Sequence, residues 1–498
     1  MAKMTQDTFS TLFNYGKRVY HGELELKEAA RKACQQNSEI AESSSRHYIL
    51  WYSKMRQGEH LTWNSNSDLL LYYAKRIIEE EGVEAGKKAI LAAKGFAKHV
   101  SRTELEHDLD KLAADYGVEL VAENNYKEFG EITAQGGEKE MSVKEKIAII
   151  KQYIEAKGFN YEGSLIENFY LSLRAKPFVI LAGTSGTGKT RLVRLFAEAI
   201  KAEYKLVSVR PDWSDSSDLF GHVDLNQKFV PGAIIDFVKR AELDPTKPYL
   251  LCLDEMNLAR VEYYMSDILS AIETRRYRGN AIVSDPVVST TSYGVDNDAL
   301  KKYGEVILPG NLYIVGTVNM DETTFPFSKK VLDRANTIEF SYVNLELMPV
   351  EFFVDPQPVS ATNDFLISRY ITMKDAYIDE DKEYIDDICT KLSLINKILE
   401  KANAHIGYRV RDEIVFYMLN NHRTGKTDDE RLIPDKVALD NQIMQKILPR
   451  IQGSSESIKT MLGELVVVCE SSKYDSSAEK INFMIKRYEE DGFTSYWL

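Results

Sequence analysis

Residues 178–192 read Phe-Val-Ile-Leu-Ala-Gly-Thr-Ser-Gly-Thr-Gly-Lys-Thr-Arg-Leu, an apolar run that enters a glycine-rich turn and leaves it as a helix. A short run with no polar face belongs to a strand covered on both sides, which means a parallel sheet under helices. The turn then limits what that sheet can carry. Gly183, Gly188, Lys189 and Thr190 match G-x-x-x-x-G-K-[ST] in the strand–turn–helix setting the pattern requires. Glycines let the backbone N–H groups from Gly183 through Thr184, Ser185, Gly186, Thr187 and Gly188 close around phosphate oxygens. The helix opening at Lys189 points its positive end at them. In such a loop the lysine reaches the β- and γ-phosphates and the Thr190 hydroxyl holds magnesium, with Arg191 next in line at the helix start. A Gly/Thr-rich surface turn is the competing reading, and it leaves the preceding buried strand unexplained. The pattern implies a nucleoside triphosphate site with ATP or GTP and Mg2+ as ligands.

Further apolar, β-rich runs at 205–209, 249–253 and 311–318 alternate with helical stretches, as a parallel sheet with crossover helices demands. Two of them end in polar residues. Tyr249-Leu-Leu-Cys-Leu-Asp254-Glu255 delivers adjacent carboxylates about sixty-five residues after the loop. In a P-loop enzyme Asp254 orders the magnesium shell and Glu255 polarises water toward the γ-phosphate. A solvated charge pair at a loop entry is the bland alternative. Asn311 to Asn319 is a second such strand. The Asn319 amide can hydrogen-bond the attacking water or the γ-phosphate, or simply form a turn. Leu332-Asp333-Arg334-Ala335 then places an arginine after a short helix. Supplied to a neighbouring subunit, Arg334 stabilises charge on the transferring phosphate; otherwise it is a salt-bridge residue.

A chain of 498 residues exceeds one hydrophobic core, so several domains are expected. Helical apolar spacing covers residues 1–121, with Leu69 to Ala74 plus Ile77 and Ile78 on one buried face. Residues 122–142 lose periodicity and gain glycine, which reads as a linker. The α/β nucleotide-binding domain follows over 143–345, and a helical lid and C-terminal region over 346–498. The formal charge of −13 argues against a surface dominated by nucleic-acid binding. Four scattered cysteines lack zinc or redox spacing, the N-terminus lacks a signal-peptide pattern, and no apolar run suits a membrane span. These features predict a cytoplasmic protein with no membrane partner. Between Arg46 and Arg56, aromatic and basic residues interleave. They could stack bases, or form a core face with a solvated edge. Glu23, Glu25 and Lys27 mimic part of a nuclease motif but lack its upstream aspartate, so no nuclease activity is expected in this chain.

Over roughly residues 145–455 the sequence resembles the AAA+ superfamily, and within it the McrB-like branch of restriction-system motors. The carrying segments are Leu253 to Tyr264, Arg210 to Gly221, Val318 to Thr324 and Ser328 to Asn336. The resemblance implies a homo-oligomeric ring, usually hexameric, with active sites shared between subunits. Gly183 to Thr190 would be Walker A, Asp254 and Glu255 Walker B, Asn319 sensor 1, and Arg334 the finger given in trans. It also implies pore-facing hairpins over Gly221–Gly232 and within 275–310. In the lid, Arg411 is favoured over Arg409 as sensor 2. A separate McrC-like nuclease subunit is the implied partner, with DNA reached through that partner or the N-terminal module.

Two departures qualify this. The branch carries Asn-x-x-Asp after sensor 1, whereas Asn319 is followed by Asp321 and Glu322, so guanine against adenine stays open. Phe159, Asn160 and Tyr161 lie where base contacts arise. The N-terminal region resembles no modified-cytosine reader. The expected function is a ring-forming NTPase coupled to DNA restriction by the nuclease partner; the alternative is a MoxR-type chaperone-like ATPase that remodels a protein client.

Overall fold

A computed structural model describes residues 5–37, 42–57, 67–99, 103–118, 141–279, 281–320, 325–340 and 358–497. The chain divides into two compact units, Met1–Gly137 and Glu138–Leu498. The expected linker falls almost wholly outside the described residues, as do Asp321, Glu322 and the boundary expected at 345.

The first unit is helical: α1 (Gln6–Tyr20), α2 (Leu26–Gln36), α3 (Glu42–Gln57), α4 (Ser67–Glu81), α5 (Val83–His99) and α6 (Thr103–Asp115). Apolar residues at helical spacing converge on one core around Phe13, Tyr52, Tyr73, Ile77 and Leu109. The aromatic–basic stretch is resolved here. Tyr48, Trp51 and Tyr52 are buried, and the Tyr52 hydroxyl and the Arg56 guanidinium both engage Glu81. These rings build a core and present no stacking platform for bases.

The second unit opens with α7 (Val143–Ala156), started by a capping box between Ser142 and Glu145, and α8 (Leu165–Ala175). Then come β1 (Phe178–Gly183), α9 (Lys189–Ala199), β2 (Glu203–Ser208), β3 (Gly221–Val223), β4 (Phe229–Pro231), α10 (Ile235–Leu243), β5 (Tyr249–Asp254) and α11 (Ser266–Glu273). After them follow β6 (Arg276–Arg278), β7 (Ala281–Val283), α12 (Asn297–Tyr303), β8 (Leu312–Asn319) and β9 (Asn336–Phe340). Five strands make one parallel sheet in the order β2-β5-β8-β1-β9. Successive residues of a strand point to opposite faces. Val179, Leu181, Cys252 and Val315 therefore pack one way and Ile180, Ala182, Leu251 and Ile314 the other, each side filling its own core.

Two small hairpins stand on this frame, β3–β4 and β6–β7. The first carries Leu225, fully exposed at its tip. Its turn end is tied down by Asp296, which accepts from Phe229 N at 3.0 Å while also capping α12. The last region comprises α13 (Lys382–Glu400), α14 (Tyr408–His422), α15 (Asp435–Gln442), a π-helical turn (Ile443–Ile447), α16 (Glu456–Ser472) and α17 (Asp475–Asp491). These helices pack on β9 and α8 and share the sheet's larger core.

Candidate functional site

In a doubly wound parallel sheet, ligands bind beyond the carboxyl ends of the strands. Here β5, β8 and β1 are neighbours, and they end at Asp254, Asn319 and Gly183. Residues far apart in sequence therefore meet at one edge. Gly183 must be glycine, because a Cβ there would lie 2.3 Å from Phe340 O on β9.

Gly186 and Gly188 adopt φ of 81° and 89°, the left-handed region that other residues enter at a cost. The loop's outward carbonyls have partners. Lys189 Nζ donates to Gly183 O at 3.0 Å and Thr184 O at 2.6 Å, and Tyr161 Oη donates to Gly188 O at 3.0 Å. Carbonyls held this way leave the loop's N–H groups to form the anion cradle. Tyr161 thus buttresses the loop, and burial raises its phenol well above the ordinary range. Beside it the Arg191 guanidinium stacks 4.9 Å above the Phe159 ring.

A hydroxyl–carboxylate network joins the strand ends. Asp254 Oδ1 accepts from Thr190 Oγ1 and from Thr317 Oγ1, each at 2.7 Å. The Thr317 hydroxyl also accepts from Glu255 N at 3.0 Å. Glu255 itself sits at φ 52°, a strained backbone for a residue with a Cβ and one that functional sites store. Asn319 Nδ2 donates to Glu255 Oε1 at 3.0 Å. Sequence motifs do not single out Thr317, although its spacing holds the signal. It lies two residues before Asn319 on one strand and so shares its face.

Thr190 and Asp254 present hard oxygen donors, a hydroxyl and a carboxylate, of the class magnesium takes. The donor set fits that ion, with phosphate oxygens completing its shell.

Arg334 lies apart from this network, following the turn Lys329–Leu332 and just before β9. Its Nε donates to Leu269 O at 3.0 Å, Nη1 donates to Lys330 O at 2.6 Å, and Glu273 Oε1 stands 3.3 Å from Nε. Arg411 is not brought to the loop. It pairs with the adjacent Asp412 at 2.6 Å and lines a cavity built from α13 and α14 residues and the turn between them. On the same helix Arg409 and Glu413 reach Glu273 and Lys176, and Lys176 precedes β1 at the end opposite the phosphate loop. The helical-region cation beside the loop is instead Lys480 on α17. It pairs with Glu339 at 2.9 Å in a cleft of about 600 Å³ shared with Gly183, Thr184 and Met320.

Residues 178–335 match the family model described as an AAA domain of the dynein-related subfamily, and residues 357–493 match a domain of unknown function, DUF8727. The chain is 24% identical over 251 residues to the type IV methyl-directed restriction enzyme EcoKMcrB subunit of Escherichia coli K12, covering 49% of this chain and 47% of that protein. It is 27% identical over 165 residues to a Lon protease of Lachnoclostridium phytofermentans, covering 33% of this chain and 18% of that protein. It thus spans about half the length of the first relative and a smaller share of the second. A crystal structure of a proposed ATPase from Cytophaga hutchinsonii superposes with a TM-score of 0.39 at 16% identity, over 61% of this chain and 87% of that one.

Proposed function

Residues 178–335 match an AAA domain, and on that footing we propose that the chain is an McrB-like AAA+ NTPase that works in a ring, hydrolysing nucleoside triphosphate at sites shared between adjacent subunits, in the service of a separate McrC-like nuclease. The observation that carries the catalytic reading is the network at the strand ends. Thr190, Asp254, Thr317, Glu255 and Asn319 form one hydrogen-bonded chain beside the phosphate loop.

The loop N–H groups and Lys189 hold the phosphates, and α9 adds its positive end. Thr190 and Asp254 would hold magnesium, which supplies neutralising charge on the phosphate oxygens. Asp254 is fixed from both sides by hydroxyl donors, so it cannot swing away from that task. Glu255 accepts the proton of the attacking water as the bond to the leaving diphosphate breaks. Asn319 orients the Glu255 carboxylate. Arg334 of one subunit meets the charge developing on its neighbour's phosphate, a contribution of about 10³–10⁵ in rate for such arginines.

A second reading, a MoxR-type remodeller of a protein client, draws support from Leu225, a fully exposed apolar side chain at the β3–β4 tip. Steady-state hydrolysis of ATP and GTP, with and without the McrC-like nuclease, separates the two. Turnover of ATP or GTP accelerated by the nuclease is the expected result. ATP turnover indifferent to it, but raised by a protein client, would transfer the assignment to the remodeller. Loss of turnover with retained nucleotide binding in Glu255→Gln identifies the base in either case.

A further inference from the structure

Lys446 sits on the π-helical turn Ile443–Ile447, and its side chain is wholly buried. An ammonium has three protons to place, and burial makes an unplaced one expensive. Lys446 places all three: on Ala335 O at 2.8 Å, Asp333 O at 3.2 Å and Glu413 Oε2 at 2.6 Å. The two carbonyls flank Arg334. A buried charge that could have been a methionine is thus spent on the carbonyls of the residues either side of the proposed finger.

Other contacts converge on the same three residues. Arg450 pairs with the Asp333 carboxylate at 2.8 Å. Glu273, which faces the Arg334 guanidinium, is also held by Arg409 of α14 at 2.5 Å. The π turn itself is anchored to α8, where Gln445 Nε2 donates to Asn168 Oδ1 at 2.6 Å and Gln445 Oε1 accepts from Ser172 Oγ at 3.1 Å. Mid-helix π turns recur at functional positions. The region that grips Asp333–Ala335 also carries Lys480, beside Gly183 and Thr184 of the subunit's own loop.

From this geometry we infer that Lys446 is a positioning residue for Arg334: the helical C-terminal region sets the finger offered to the next subunit. The inference rests on the reading that Arg334 acts in trans. It predicts that losing Lys446 harms the neighbour's site and spares the subunit's own.

Mixing variants of the full chain tests this directly. Lys446→Met leaves Glu413 its second counter-ion, Lys176 at 2.6 Å, so no buried carboxylate is stranded. Alone, Lys446→Met should bind a fluorescent triphosphate normally and hydrolyse it about 10²-fold more slowly, the cost of a finger displaced by about an ångström. Glu255→Gln has a dead site and an intact finger. Mixed one to one, the two inactive proteins should recover about a quarter of wild-type turnover, since half the subunits keep a working site and half of those meet a sound finger.

Arg334→Ala mixed with Glu255→Gln is the reference. Recovery there without recovery for Lys446→Met overturns the inference, as does a Lys446→Met protein that is fully active alone. No recovery in the reference mixture removes the shared site itself, and the inference with it. Should Lys446→Met lose nucleotide binding, Arg450→Gln, which deletes only the Asp333 ion pair, takes its place in the same mixtures. Recovery with Glu255→Gln then supports the inference, and its absence beside a recovering reference overturns it.

Discussion

At the scale of single residues, Thr317 makes the sharpest prediction. Its hydroxyl donates to Asp254 and accepts from the Glu255 amide, so one oxygen sets both carboxylate-bearing residues. Thr317→Val keeps the volume and removes both bonds. The Glu255 N–H, already in a strained backbone, then lacks its acceptor, at a cost of about 1–3 kcal/mol. The expected outcome is a fall in kcat of about 10²-fold from the misplaced base, with KM little changed. Thr317→Ser restores the hydroxyl and should restore kcat. A Val variant with wild-type kcat would show that the hydroxyl orients nothing. Lys189, Thr190, Asp254 and Glu255 are legible without a structure because their chemistry is encoded in local spacing. Thr317 and Lys446 are not, because each acts through a partner more than thirty residues away in sequence.

At the scale of elements, α14 carries a pH dependence. Its last residue, His422, lies tilted against Tyr384 with ring centroids 4.0 Å apart, and burial followed by the nearby Arg431 charge lowers its proton affinity. The folded imidazole stays neutral where the unfolded one, with its ordinary value near 6.5, takes a proton. The unfolded state then binds more protons, so this contribution is present above about pH 6.5 and is lost as pH falls below it. Thermal melts at pH 7.5 and 5.5 should show wild type losing more Tm on acidification than His422→Gln. Equal losses would remove the role assigned to His422. The strands illustrate what can be read and why. β1, β5 and β8 are covered on both faces and appear as unbroken apolar runs. β9 escapes such a reading because Asn336 and Glu339 interrupt it. In the structure the Asn336 amide donates to Ser172 O and Glu339 pairs with Lys480, partners that exist only once the helices have docked. The placement of Arg411 away from the loop has the same origin. Helix order along the chain does not disclose which end of the sheet a helix reaches, and α14 reaches the end opposite the loop.

At the scale of the whole molecule, the division into two units separates the proposed hydrolytic site from what remains to be assigned. Every residue placed in the strand-end network, and Arg334 with its Lys446 clamp, belongs to Glu138–Leu498. That unit has its own sheet and its own cores, while the helices of the first unit close a separate core around Phe13, Tyr52 and Tyr73. A unit with a self-contained core and no catalytic residue drawn from the first unit is expected to fold and turn over without it. Residues 138–498 should therefore hydrolyse triphosphate within about twofold of the full chain in the absence of any trigger. Whatever DNA or partner response the full chain has should be missing, since the first unit is then the part that supplies it. The informative comparison is basal against stimulated turnover for both forms, measured at equal subunit concentration. Equal stimulation of the truncated form would shift recognition onto the second unit, where the exposed β3–β4 tip at Leu225 becomes the surface to mutate. A truncated form that binds nucleotide yet does not turn over would mean that the first unit is needed to bring Arg334 to its neighbour. In that case mixing it with full-length Glu255→Gln, whose finger is intact, should restore hydrolysis at the truncated subunits' own sites.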